Sequence, residues 1–404
     1  MLYVNAKTYA IEKDNIIDGI LLGLTLTLEV CFSSGLIFMV VLYGLRYLII
    51  VKRYKRGFVV NKTTLWLVVL LFLTTINGLR LTNNSEQFSV IYNLTTFLCV
   101  ILIQMILLQF RERIFYIVKT AVIFCAATTG IYIVVKEFNM LVYRWSDFLS
   151  GNSGYRLGIS SNINPNTITW TFGVLALLTI YFAINDRKLF YYVLYIFEII
   201  IIFFTGSKNG LLLAVIPIII YGIGALRKAN LKVLLVIVVC IIALWIILHQ
   251  SPVLYTLLGR RIDSMLYTIG ITNNTSMSAA GIDIGSTEKR IEMIQVAEEM
   301  FWKKPLFGWG IGAFAKYAGF GYYCHNNYME ILVSGGIIAF LIYYVFILIQ
   351  GLNILNIRKG KYKSLACMLL LSLLLLDFST VNFYTDVIFY FRTVLLAEIV
   401  KCSD

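Results

Sequence analysis

A run of about 20 mostly apolar residues is enough to cross a bilayer as a helix, and this chain of 404 residues repeats such runs along most of its length. Twelve candidates lie near 16–32, 34–51, 63–82, 88–109, 113–135, 166–184, 189–205, 209–226, 231–249, 326–350, 363–380 and 382–400. Backbone groups in lipid must be satisfied inside each segment, which unbroken apolar runs achieve as helices rather than as barrel strands. With 60% apolar residues and 4 prolines, the expectation is an all-α polytopic membrane protein with about 12 transmembrane helices in a single domain over 1–404. Residues 16–51 admit two spans or one long one, because the stretch is short for two and Asp18 and Glu29 interrupt it. No small-residue cleavage site follows a short N-terminal apolar run, so no removable signal peptide is expected.

The net charge of +13 invites a nucleic-acid reading, but its distribution argues against one. Lys52-Arg53-Tyr54-Lys55-Arg56, Arg111/Arg113, Arg187-Lys188, Arg227-Lys228 with Lys232, and Arg358-Lys359 with Lys361 and Lys363 occupy every second short loop. By the positive-inside rule these loops are cytoplasmic. Residues 136–165, 205–209 and a large loop at 250–325 then face the other side, with both termini inside. Cations on that outer face break the default and require a reason. Seven cysteines, five of them within apolar runs (Cys31, Cys99, Cys125, Cys240 and Cys367), form no CxxC pair. Neither a disulfide framework nor a thiolate metal site is expected, and no His/Asp cluster suggests a metal or other cofactor.

Three outer segments carry candidate chemistry. Arg156-Leu157-Gly158 precedes Asn162-Ile163-Asn164-Pro165-Asn166. Pro165 suits a helix start and Asn164 its cap. A helix N-terminus turned outward also favours an anion. Thr205-Gly206-Ser207-Lys208-Asn209-Gly210 reads as a tight turn, with Lys208 either binding an anion or snorkelling to the interface. In the large loop, Ser286-Thr287-Glu288 opens a helix whose apolar face is expected at Ile291, Ile294, Ala297, Met300 and Phe301, with Pro305 as its stop. Gly308-Trp309-Gly310-Ile311-Gly312 follows no strand, so it is a close chain turn rather than a dinucleotide loop. Lys303, Lys304 and Lys316 read equally well as loop solvation.

His325 stands at the mouth of the next span in Cys324-His325-Asn326-Asn327-Tyr328. A histidine there can accept a hydroxyl proton or serve as a cap. His249, at a comparable boundary without a surrounding motif, reads as structural. Glu330 falls one turn below His325. Glu198, Asp377, Asp386, Arg392 and Glu398 lie within apolar runs, where their cost in lipid requires them to face the bundle interior or water.

Together these segments resemble the O-antigen ligase and O-antigen (capsular repeat-unit) polymerase superfamily of bacterial membrane glycosyltransferases. Arg156 with Gly158 and Asn164-Pro165-Asn166 resembles the family's Arg…Gly…Asn-Pro-Asn element. Thr205-Gly206-Ser207-Lys208 resembles its Thr-Gly-Ser-Arg turn, with Lys208 in the arginine's place. Arg290 followed by Pro305, Gly308, Gly310 and Gly312 resembles its arginine-led helix and Pro-x-x-Gly-x-Gly end. His325-Asn326-Asn327-Tyr328-Met329-Glu330, with Gly335-Gly336, resembles its His-Asn-x-Tyr-Leu-Glu signature. Asn209 stands where a small residue is usual, and Ala339 where a glycine often closes the last motif.

The resemblance implies a GT-C-like arrangement in the bacterial plasma (inner) membrane with an extracytoplasmic active face. It also implies a donor glycan on undecaprenyl pyrophosphate, and possible assembly with a flippase and a chain-length regulator. Arg156, Lys208, Arg261 and Arg290, with Arg260 as alternate, would stabilise the pyrophosphate leaving group, and His325 would be the general base. Asn166, Asn326 and Glu330 complete the expected substrate-binding set, and no metal is called for. Transfer to another lipid-linked repeat unit would make the protein a polymerase. Transfer to a lipid A core, protein or wall glycan would make it a ligase. A flippase or other transporter is the reading from a different class. It calls for spans broken at mid-membrane, whereas the runs here read as continuous.

Overall fold

The computed structural model describes residues 2–55, 57–81, 89–143, 156–158, 161–226, 246, 249–250, 255, 259, 263, 285–358, 360–384 and 386–402. Among them there are helices and no strands. In chain order these are α1 (Leu2–Cys31), α2 (Leu36–Tyr54), α3 (Lys62–Leu79), α4 (Val90–Gln109), α5 (Ile114–Tyr143), α6 (Pro165–Asp186) and α7 (Leu189–Thr205). They continue with α8 (Lys208–Leu226), α9 (Gly285–Lys303), α10 (Ala313–Tyr317), α11 (Asn327–Ile354), α12 (Gly360–Leu376) and α13 (Val387–Cys402). Among the described residues, six stretches are long and apolar enough to cross a membrane. Almost all of the candidate span at 231–249 lies outside the described residues.

The apolar surface is turned outward, which only lipid accommodates. Phe38, Leu48, Phe72, Ile131 and Leu348 are each at least 60% exposed, while many polar side chains are buried. A water-soluble monomer does not leave apolar area of this extent uncovered. The chain is a multi-pass membrane protein.

The chain divides into two compact units. The first comprises Met1–Thr129, Leu178–Leu194 and Met293–Asp404, and the second Gly130–Leu177 and Tyr195–Glu292. The divisions fall inside α5, α6, α7 and α9.

In the first unit α4 packs against both α2 and α3, and α13 against α12, α11 and α4. Every residue of α13 from Val387 to Val400 is buried, as expected for an innermost helix that is apolar all round. The two charges within that stretch are held by groups on other elements. Arg392 donates to Ser372 O at 3.1 Å. Glu398 accepts from Gln104 Nε2 at 2.9 Å, Asn61 Nδ2 at 3.0 Å and Arg111 Nε at 3.0 Å. Residues 16–51 form two helices parted by a 3-10 turn at Ser33–Gly35. Asp18 is tolerated because Arg46 of α2 reaches it at 2.6 Å and Asp14 at 3.1 Å. Glu29 accepts from the Val387 backbone N–H at 2.8 Å.

The expectation of continuous spans fails in α11. Gly336 (φ 67, ψ −169) interrupts the helix, and the glycine-rich segment after α9 fills the gap. Trp309 N donates to Val333 O and Gly310 N to Ser334 O, both at 2.8 Å, and Ile337 N donates to Pro305 O at 2.8 Å. Irregular backbone at membrane depth is tolerated where protein buries it, and here the freed groups are paired with protein rather than left to line a path. The glycines are required by contact. A Cβ on Gly308 would stand 2.6 Å from Val333 O, and one on Gly336 would clash with the Leu306 carbonyl. Arg80 clamps the same segment through Phe307 O at 2.5 Å and Gly308 O at 2.9 Å.

Gly336→Ala is therefore expected to lower stability by at least about 1–3 kcal/mol from backbone strain alone. Gly44→Ala, whose Cβ would meet nothing within 4 Å, should be nearly neutral. Thermal unfolding of both variants in detergent measures the difference, and equal melting temperatures would show that the segment does not need the break.

The second unit packs through small residues, as close helix contacts in membranes do. Gly173 of α6 faces Leu213 of α8, Gly130 of α5 faces Phe197 of α7, and Gly210 of α8 faces Ile202 and Thr169.

Candidate active site

Within the second unit, two of the short outer motifs are stitched into one structure. Asn164 caps α6, its Oδ1 accepting from Asn166 N at 2.9 Å. Gly158 (φ 107) and Asn162 (φ 59) take left-handed backbone and close a turn in which Ile163 N donates to Gly158 O at 2.9 Å. A side chain at 158 would meet Ile163 O at 2.6 Å. This turn lies against the end of α7, where Leu157 N donates to Phe204 O at 2.9 Å. Thr205 ends α7, Gly206 (φ 58) reverses the chain, and α8 starts at Lys208. The starts of α6 and α8 therefore come together, held by a 2.6 Å hydrogen bond between Thr169 and Thr205 hydroxyls and one of 3.0 Å from Ser207 Oγ to Asn166 Oδ1.

Arg156 sits over this junction. Its Nε donates to Thr205 O at 2.8 Å and an Nη to Asn166 Oδ1 at 3.3 Å. The first contact is a cation on the last carbonyls of a helix, a stabilising arrangement in its own right. The other Nη has no hydrogen-bond partner among the described residues. Burial, and then the positive charge of Arg290, push the Arg156 guanidinium below its ordinary pKa. Since arginine stays charged in proteins, the folded protein holds two cations that repel each other at every physiological pH. A helix N-terminus favours an anion, and Arg156 sits where two of them meet.

Arg290 lies in the first turns of α9, which spans Gly285–Lys303. The apolar face of this helix differs from expectation. Met293, Ala297 and Met300 are its buried residues, packed with Ala313, Phe314, Cys324 and Val333, whereas Ile291 is 43% exposed. The stripe is shifted because the partner surface, α10 and α11, contacts the 293/297/300 edge. Trp309 joins it through a 2.8 Å hydrogen bond from Nε1 to Met300 O, and Lys304 lies 4.0 Å from the Trp309 ring centroid. Arg260, Arg261 and the side chain of Lys208 lie outside the described residues.

In the first unit, His325 precedes α11 with left-handed backbone (φ 56). Its ring is held edge-on against Tyr323 at 4.4 Å and tilted against Tyr322 at 5.6 Å. Asn326 is the N-cap of α11, accepting from Met329 N at 3.0 Å. Glu330 is buried, and its Oε2 accepts the Cys324 backbone N–H at 3.0 Å. It therefore anchors the chain next to His325.

Asn327, to which the sequence motifs assign no site role, is the hub of this corner. Its Oδ1 accepts from Asn382 N at 2.9 Å and Phe383 N at 3.1 Å, and its Nδ2 donates to the Tyr343 and Tyr344 hydroxyls at 3.3 and 3.2 Å. Asp377 completes the network by accepting from Asn382 Nδ2 and the Tyr344 hydroxyl, both at 2.8 Å. The available signal was the cost of Asp377 in an apolar run.

Asn327→Ala leaves two buried N–H groups without acceptors, at about 1–3 kcal/mol each. A lower melting temperature is expected for this variant, with Asn327→Asp, which retains the acceptor, falling between it and the parent. Equal unfolding of all three would exclude the network as the support of the His325 loop.

His249 has a partner that its sequence surroundings did not suggest. Its Nε2 lies 3.4 Å from Asp263 Oδ1, and the Tyr255 hydroxyl donates to Asp263 at 3.0 Å. This is a local clasp within the second unit.

Residues 191–344 match the family model for O-antigen ligase. The matched stretch includes the Thr205–Lys208 turn, Arg290, the glycine segment and the His325 signature, and it stops short of Arg156 and Asn166. No curated protein and no solved structure matches the chain.

Proposed function

We propose that this chain, whose residues 191–344 belong to the O-antigen ligase/polymerase superfamily, polymerises lipid-linked oligosaccharide repeat units at the outer face of the bacterial plasma membrane. The superfamily indicates glycan transfer of the ligase or polymerase type. The donor proposed is a growing glycan on undecaprenyl pyrophosphate, and the acceptor a hydroxyl of a new lipid-linked repeat unit.

The observation that carries this reading is Arg156, held by Thr205 O and Asn166 Oδ1 where the starts of α6 and α8 meet, with the charge of Arg290 acting on it. In the transfer, the bond from the anomeric carbon to the pyrophosphate oxygen breaks and the electron pair stays on pyrophosphate. The acceptor oxygen bonds to the anomeric carbon in line with the leaving group, and its proton passes to His325. Negative charge grows on the leaving oxygen, so fixed cations bind the transition state more tightly than the ground state. Lys208, Arg260 and Arg261 are proposed to extend this cationic site, with Asn166, Asn326 and Glu330 positioning substrate and loop. The glycine and cap geometry around Arg156 holds its fork still before the reaction begins, which limits reorganisation.

The test is the purified full-length protein incubated with a lipid-linked repeat unit, with products resolved on a gel. A ladder of longer chains is expected. Single transfer to a lipid A core, protein or wall acceptor without a ladder would make the protein a ligase. Movement of the lipid-linked sugar across vesicles without any new glycosidic bond would overturn catalysis altogether.

A further inference from the structure

A second polar site lies in the first unit, at the end of the helices that carries the basic turns. A groove of about 390 Å³ is lined by Asn15 and Ile16 of α1, Tyr116, Lys119, Thr120 and Ile123 of α5, and Asp186, Lys188 and Tyr191 at the α6–α7 turn. Its origin is legible in α1. Gly19 and Gly23 form a Gly-x-x-x-Gly stripe that brings α1 onto α5, so closely that a Cβ on Gly23 would stand 2.8 Å from Ala121 O. One turn earlier, the same stripe carries Asn15 in place of glycine, and the groove opens there.

Three features of the groove point to a ligand. Asn15 is only 4% exposed, yet its Oδ1 has no hydrogen-bond partner, so a buried acceptor lines the groove without a donor. Leaving such a group unmade costs about 1–3 kcal/mol. Lys188 is exposed at the rim, and Lys119 pairs with Asp186 at 2.5 Å, so cations and a carboxylate share one wall. Tyr116 and Tyr191 flank them, as tyrosines do at headgroup depth. Basic pockets between spans on the cytoplasmic side are places where lipid headgroups bind.

We propose that this groove binds the headgroup of an amine-bearing phospholipid, a phosphoethanolamine lipid of the cytoplasmic leaflet. Its phosphate lies against Lys188 and Lys119, and its ammonium donates to Asn15 Oδ1 and Asp186. A purely anionic headgroup brings no ammonium to the wall that Asp186 shares with Lys119. A choline headgroup has no N–H to give Asn15. The exposed apolar residue Ile16 continues the groove wall toward the acyl region.

Native mass spectrometry of the full-length protein in detergent tests this, with added phosphatidylethanolamine, phosphatidylcholine or phosphatidylglycerol of identical acyl chains. Phosphatidylethanolamine is expected to be retained about tenfold better than phosphatidylcholine, the difference a charged hydrogen bond makes. Asn15→Leu should erase that preference. Lys188→Ala, an exposed change that does not threaten folding, should weaken retention of phosphatidylethanolamine by a similar factor. Equal retention of the ethanolamine and choline lipids, or no effect of Lys188→Ala, would overturn the site. Tighter phosphatidylglycerol binding would overturn the amine assignment. Displacement by soluble O-phosphoethanolamine at the lipid's own concentration would show a site for a soluble ligand instead.

Discussion

Replacing His325 with asparagine is expected to abolish ladder formation, lowering the transfer rate by about 10²–10⁴-fold, the usual contribution of a positioned general base. Asparagine is the informative substitution because His325 occupies left-handed backbone (φ 56), a conformation asparagine tolerates better than most side chains. The loop and the α11 cap should therefore survive, and the melting temperature should stay close to that of the parent. Single-turnover transfer by the purified variant, measured beside its unfolding curve, separates chemistry from folding. A variant that keeps a tenth or more of the parental rate would remove His325 from the proton-transfer role. Loss of both activity and stability would instead mark it as a structural residue of the Tyr322–Tyr323 corner.

Arg290→Gln is expected to lower transfer by about 10²–10³-fold, the loss seen when a single prearranged stabilising group is removed from a developing charge. Burial, and then the charge of Arg290, hold the Arg156 pKa below its ordinary value. The sign follows from linkage. A base whose folded pKa lies below its unfolded value binds its proton less favourably when folded, so the charged form costs stability at any pH below that range. A bound pyrophosphate relieves that cost, and it relieves more of it while Arg290 is present. A pyrophosphate-bearing lipid should accordingly raise the melting temperature of the parent more than that of Arg290→Gln. Equal stabilisation of the two proteins by that lipid, together with full activity, would remove Arg290 from the anion site.

Much of the candidate site could be read before any fold was known, but unevenly. The capping role of Asn164, the turn at Gly206 and the start of α9 near Ser286 depend on neighbours within a few residues, and local propensity expresses them directly. The buried edge of α9 did not follow the same rule. Ile291, Ile294, Ala297, Met300 and Phe301 have helical spacing, but so do Met293, Ala297 and Met300, and only the surface of α10 and α11 decides which stripe is covered. Asn327 shows a stronger form of this. Its four hydrogen-bond partners lie 16–56 residues away, so nothing in its immediate sequence distinguishes it from a second cap residue.

Two properties belong to the amino-acid sequence alone. Apolar runs of bilayer length require helices in lipid, and the ordered polar motifs between them resemble those of a glycan-transferring membrane family. Tertiary structure decided the rest. Arg156 meets Thr205 and Asn166, 49 and 10 residues away, and so turns two separate motifs into one cationic junction. Gly336 breaks a helix that its apolar run presented as continuous, because the Pro305–Gly310 backbone supplies the hydrogen bonds that the break releases. The reason is the same in both cases. Hydropathy and periodicity record what each segment needs from its surroundings, whereas the partner that meets the need is selected by packing across the chain.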